Sequence, residues 1–303
     1  MDPAVRYHNF IMDNARWDNF AFHNGDIIIS APPKCGTTWV QMICALLVFQ
    51  SVDLPGPLDL LSPWVDMLTH SYEDLMANLE AQQHRRFLKS HTPLDGLPFG
   101  DRITYICVGR DPRDVAISWD NQRQNTDMKK MVALRKAAAG LDDMAKVMPS
   151  GVPKPPESQR DRFWAWAEGS SPFPGLSELF HHLSTFWSMR DRPNVVLLHY
   201  DDLRNDLEGQ MRGLAGRLGI QISEQVWPDL VQAATFTDMR QRTKELVPEI
   251  TAWHDPERFF HRGTSGQWRN LLNDDDLRRY QARVSELADP ELSAWIHKGP
   301  IRS

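Results

Sequence analysis

The chain has 303 residues, 41% hydrophobic and 24% charged, with a formal net charge of -6 from 34 Lys+Arg against 40 Asp+Glu. These proportions exclude a disordered, fibrous or disulfide-stapled protein, and the acidic balance gives no overall attraction to nucleic acid. Cys35, Cys44 and Cys107 form no CxxC pair and no close Cys/His set, which argues against zinc and for free thiols in a reducing, cytoplasmic setting.

The N-terminal run MDPAVRYHNFIMDNARWDNF carries acidic residues and no apolar core, unlike a signal peptide. Asp26 to Ser30 is short and nearly all apolar, the pattern of a buried parallel strand. Two prolines and a glycine then mark a sharp turn, and Thr37 to Gln50 has the length and apolar content of a helix. Its apolar stretch, Val40 to Phe49, is about half of what a bilayer span requires. Further strands are predicted at Phe87 to Lys89, Ile103 to Val108 and Val195 to Leu198. Helices are predicted at Tyr72 to Gln83, Val115 to Gln122, Glu178 to Arg190 and Leu203 to Leu218. Strands alternating with helices predict an α/β fold, a central parallel sheet flanked by helices. The segment Asp127 to Gln159 breaks that rhythm. It is rich in Lys, Ala and Met and ends in a proline cluster, so it reads either as a lid or acceptor-binding element or as a plain surface helix and loop. Asp274 to Trp295 reads as charged helix.

The strand–turn–helix around APPKCGTTW has the chemistry of an anion site. Gly36 allows close backbone approach, and the helix start at Thr37 or Thr38 offers unpaired N–H groups and the positive dipole end. Lys34 adds a positive charge and the two threonines add hydroxyl donors. The nucleotide-triphosphatase pattern G-x-x-x-x-G-K-[ST] is absent, since here Lys precedes Gly by two residues.

With these features the sequence resembles the cytosolic, PAPS-dependent sulfotransferase family, in its bacterial-like small-molecule branch. APPKCGTTW looks like the loop for the 5'-phosphosulfate end of the donor. KSHTP (Lys89 to Pro93) resembles the segment with the catalytic histidine, and GRDPRDVAISW (Gly109 to Trp119) the segment that binds the 3'-phosphate. HYDDLRND (His199 to Asp206) and HRGTSGQWRN (His261 to Asn270) resemble two later blocks, and all five occur in the family order. The resemblance implies one sulfotransferase domain over residues 1–303, with 3'-phosphoadenylyl sulfate (PAPS) as donor and adenosine 3',5'-bisphosphate (PAP) as product.

Residue by residue, the resemblance implies His91 as general base, a task that suits an imidazole neutral near pH 7. Lys34 and Lys89 are the implied catalytic cations, Lys34 supporting the leaving phosphate. The donor loop would comprise Lys34, Cys35, Gly36, Thr37 and Thr38, with Trp39 packing on adenine or, read simply as a residue, lying in the core. Arg110 and Ser118 match the family's 3'-phosphate ligands, while Arg113 and Asp114 could form a local ion pair. Tyr200, Thr235, Phe236 and Met239 match the adenine surround, each equally readable as core or turn. Arg262 and Gly263 match the C-terminal donor loop, where His261 replaces a second family arginine. The family's lysine–threonine–valine–glutamate dimer motif is absent after Asn270. No metal is implied. The acceptor is expected to be a phenol, a sterol-like alcohol or a lipid hydroxyl, lined by stretches such as SPWVDMLTH and RFWAWAE. Two rivals remain open at this stage: an ATP-dependent phosphotransferase, and a silent binder of adenosine bisphosphate.

Overall fold

Four short apolar runs become strands: β1 (Ile27–Ser30), β2 (Phe87–Ser90), β3 (Thr104–Gly109) and β4 (Val195–His199). The computed structural model describes residues 5–148, 154–171, 173–246, 252–255, 258 and 263–298, with the side chains of 244 and 245 left aside. The strands form one sheet of order β2-β1-β3-β4, every neighbouring pair parallel. Ile28 sits between Leu88 and Tyr105, and Ile106 faces Val196. Ile27, Ile28, Ile29 and Ile106 are wholly inaccessible, so helices cover both faces, as an all-parallel sheet requires.

The strand order reverses direction at β1: β2 lies on one side of it and β3 on the other. In such sheets the crevice beyond the carboxyl ends of the strands is where ligands bind. The loops that leave β1 and β3 open there, and they are the two segments with the phosphate-binding sequence.

The helix Thr37–Phe49 follows β1 directly, with Gly36 as its N-cap at φ 114° and Lys34 at φ 72°. A Cβ at Gly36 would lie 3.1 Å from the Tyr200 ring as well as occupying the left-handed region, so both space and backbone favour glycine. Two predicted helices divide. Leu203 to Leu218 is really Tyr200–Asn205 followed by Leu207–Leu218; Asp206 intervenes, its carboxylate accepting from Gly209 N at 3.0 Å. Asp274 to Trp295 is Asp274–Leu287 followed by Pro290–His297, because Asp289 caps a new helix that starts on proline. Within the insertion, Met128–Ala139 is helical, capped by Asp127 and ended by Gly140 at φ 73°. Among the described residues no helix is long and apolar enough to cross a membrane.

Candidate active site

The phosphate loop gathers positive charge at the carboxyl end of β1. Burial, then the nearby Arg110 and Lys89, depress the Lys34 ammonium to a pKa of about 7. Lys89 is held down to about 8 by burial, opposed by Asp66 and Asp59. The same burial raises the Cys35 thiol to about 12, so it stays protonated and unreactive. Thr37 Oγ1 and Arg110 Nε are buried without a hydrogen-bond partner. Both belong to the segments that frame the crevice, and both fit an anionic oxygen as the group that would satisfy them. Thr38 lies partly buried in the first turn of the same helix.

His91 follows β2 immediately. Its Nδ1 lies 2.5 Å from the Ala31 carbonyl, which can only accept, so Nδ1 carries the proton and Nε2 keeps its lone pair. Burial, then the Lys89 charge, hold its pKa well below the usual imidazole range despite that bond. The imidazole is therefore neutral at physiological pH. Trp64 meets the His91 ring edge-on at 4.6 Å and carries the Lys89 ammonium over its face at 4.5 Å. Lys34, Lys89 and His91 thus form one cluster in which the Lys89 charge lowers the proton affinity of Lys34 and both lysines lower that of His91.

Around this cluster lie two buried groups that the sequence did not single out. Asp66 accepts from Trp17 Nε1 at 3.0 Å, Trp64 Nε1 at 2.5 Å, Ser90 Oγ at 2.6 Å and Thr92 Oγ1 at 2.6 Å. His182 stacks on Phe186 and approaches Ser30 Oγ at 3.5 Å, its pKa pushed down to about 3 chiefly by burial.

Beyond β3, Arg110 lies over the Tyr200 ring at 4.2 Å and donates to the carbonyls of Lys34 at 3.2 Å and Thr264 at 3.1 Å. It therefore stitches the phosphate loop to the C-terminal loop. Arg113 and Asp114 do not pair with each other, as the sequence had suggested. Arg113 bonds Asp111 through two nitrogens at 2.9 and 2.7 Å, while Asp114 accepts from the backbone N–H groups of Gly266 at 2.7 Å and Gln267 at 3.0 Å. The reason is reach: Asp111 caps the helix beside Arg113, and Asp114 faces the loop. Ser118 is partly buried on that helix.

The expected adenine surround assembles in part. Trp39, partly buried, sits edge-on to Tyr200 at 5.2 Å and donates its Nε1 to Ala234 O at 2.8 Å. Thr235 caps the helix Phe236–Gln241. Gly263 adopts φ 63°, and a Cβ there would lie 2.5 Å from the Phe236 ring, so those two predicted residues are in close contact. Met239, only 2% exposed, lies in the core, one of the readings its sequence context left open. His261 and Arg262 lie outside the described residues.

A cavity of about 740 Å³ adjoins the cluster. His91, Trp64 and the Pro32–Pro33 turn of the phosphate loop form one part of its wall. Apolar residues from other parts of the chain join it: Phe10 to Met12, Met128 and Met131 of the insertion, and Trp119, Trp166 and Phe173. Arg162 and Asp120, paired at 2.7 Å, give it a polar margin.

A nucleotide-like phosphate loop, a second basic segment and a neutral histidine beside an apolar cavity define a group-transfer enzyme for an anionic donor. The sulfotransferase domain model matches residues 24–290, and the chain belongs to that family. It is 43% identical to a glycolipid sulfotransferase of Mycobacterium bovis (strain BCG / Pasteur 1173P2), over 99% of this chain and 96% of that protein. It is 23% identical to sulfotransferase 1A1 of Rattus norvegicus, over 94% and 91%. Retinol dehydratase, solved with androsterone and inactive cofactor PAP, shares the fold at TM-score 0.68 and 20% identity, over 92% of this chain and 86% of that one. A mouse sulfotransferase complexed with PAP does so at 0.67 and 15%, over 94% and 92%. The protein is a PAPS-dependent sulfotransferase that transfers a sulfuryl group to a hydroxyl acceptor.

Proposed function

We propose that the whole chain acts as one catalytic unit, with His91 as general base, Lys34 and Lys89 as the cations of the transfer step, and a lipid-like alcohol as acceptor. The observation that carries this reading is the adjacency of His91 and the Pro32–Pro33 turn in the wall of one large, mainly apolar cavity. An acceptor held there meets a base and a phosphate-loop donor together, which is the condition for in-line transfer.

The acceptor oxygen attacks sulfur while its proton passes to Nε2 of His91. The bond from sulfur to the 5'-phosphate oxygen breaks, and that oxygen leaves with the electron pair as part of PAP. Lys34 stabilises the charge gathering on it. Arg110, Thr37 and Thr38 would hold donor oxygens, and Tyr200, Trp39 and Phe236 would frame the base. Cys35, Cys44 and Cys107 are buried and unpaired, which supports a reducing cytoplasm as the working compartment.

A cavity of about 740 Å³ is far larger than a simple phenol fills, and its methionine and aromatic walls suit a flexible chain. The mycobacterial glycolipid sulfotransferases among the relatives point the same way, and we read the acceptor as a glycolipid-type amphiphile. Labelled-sulfate transfer to alcohols graded in chain length tests this. Each methylene accommodated is expected to raise kcat/KM about fourfold, at about 0.8 kcal/mol, until the cavity is filled. A short phenol turned over as efficiently as the long-chain acceptors would overturn the lipid reading.

A further inference from the structure

We propose that Asp66 is a positioning residue for catalysis, a buried carboxylate that fixes the orientation of His91 by gripping the residues on either side of it. The proposal rests on the reading of His91 as general base.

Asp66 is wholly inaccessible, yet it is a carboxylate, and burying one without partners is costly. Its two oxygens instead accept from four side chains. Ionised, it can only accept, and all four partners, two hydroxyls and two indole N–H groups, can donate. The arrangement of those donors is the informative part. Ser90 precedes His91, Thr92 follows it, and Trp64 presses edge-on against its ring. Ser90 Oγ also accepts from Thr92 N at 2.9 Å, which closes the turn around the histidine. From the other side, Ala31 O fixes Nδ1, and Ser30 Oγ donates to Thr92 O at 2.6 Å. His91 is thus flanked by two residues that Asp66 holds and is fixed at its ring by Ala31 and Trp64, and its position relative to the cavity follows from both.

A purely structural Asp66 would hold the fold and leave the rate per folded molecule unchanged. A positioning Asp66 would hold kcat, since small misplacement of a reacting group slows chemistry more than it weakens binding. Asp66→Asn keeps the shape but turns one acceptor into a donor facing other donors. In the full chain, with folding checked by near-UV circular dichroism, kcat is expected to fall about 100-fold. PAP affinity and acceptor KM are expected to change little. Thr92→Val removes one of the four bonds at constant shape and is expected to give a smaller loss of the same kind. In a His91→Ala background, Asp66→Asn is expected to cost nothing further, because no base remains to be aligned.

If His91→Ala loses transfer while folded Asp66→Asn keeps kcat within a few-fold, the positioning role is overturned and the base assignment stands. If His91→Ala itself keeps its rate, the base assignment fails and the proposal fails with it. Should Asp66→Asn not fold, Thr92→Val decides, and a normal kcat there overturns the proposal.

Discussion

Lys34, Lys89 and His91 share one crevice, and burial drives each of them toward its neutral form. For His91, proposed as the base, that would be the reactive state, since a base must be unprotonated when the acceptor arrives. For the two lysines it is a state that an anionic donor reverses, because phosphate oxygens close to an ammonium favour its charge. The sign follows directly. Lys34 titrates at about 7 in the free protein, so above that value anion binding must bring a proton with it, whereas below it the proton is already present. Binding of PAP is therefore expected to take up more protons at pH 8 than at pH 6, about one or more at the higher pH. Calorimetry in two buffers of different ionisation enthalpy measures the number. Lys34→Met is expected to reduce the difference, and equal uptake at both pH values in the wild type would contradict this picture of the loop.

At the scale of elements, the site is made by loops at the carboxyl ends of β1, β2 and β3, held together by a few polar staples. Arg110 ties the first of them to residue 264, and Asp114 caps the N–H groups of Gly266 and Gln267. Asp114→Ala strands those two donors and is expected to cost about 2–3 kcal/mol of stability. It is also expected to weaken PAP binding, because Gly263, which packs on Phe236, is close in the chain to Gly266 and Gln267. Denaturant titration and PAP titration check the two effects; unchanged PAP affinity would show that the loop has no part in the donor site.

The strands and phosphate loop were legible in the sequence because local pattern fixes them: an apolar run, a glycine at a left-handed turn, an apolar helix. The breaks at Asp206 and Pro290 were not read, because cap residues inside stretches of helical composition do not stand out from them. Asp66 was not legible. Its meaning lies in donors brought from Trp17, Ser90 and Thr92, which meet it only once β2 is in the sheet. Met239 stayed open for a different reason, since a methionine reads alike whether it lines a ligand or fills the core, where it lies.

Across the whole molecule, one apolar core runs from Trp17 to Ile296, so both ends of the chain contribute to holding the site. The last described helix docks on the sheet where Gly109 leaves room: a Cβ there would lie 2.5 Å from Trp295. His199, at the end of β4, donates through Nε2 to Ile296 O at 3.0 Å. At the cavity, the N-terminal segment and the insertion meet through Arg135, which is 2% exposed and reaches Phe10 O at 3.2 Å and Asp143 at 2.6 Å. His8 closes on the same Asp143 carboxylate at 2.7 Å. The cavity is thus built from segments distant in sequence, and His91 stands in its wall beside the Pro32–Pro33 turn. Sulfate transfer by His91→Ala, compared with its PAP binding, tests the role proposed for that histidine most directly. Transfer is expected to fall by about 10²–10⁴-fold while PAP still binds with unchanged affinity. Transfer within a few-fold of the wild type would contradict it, and the base would have to be sought elsewhere in the crevice.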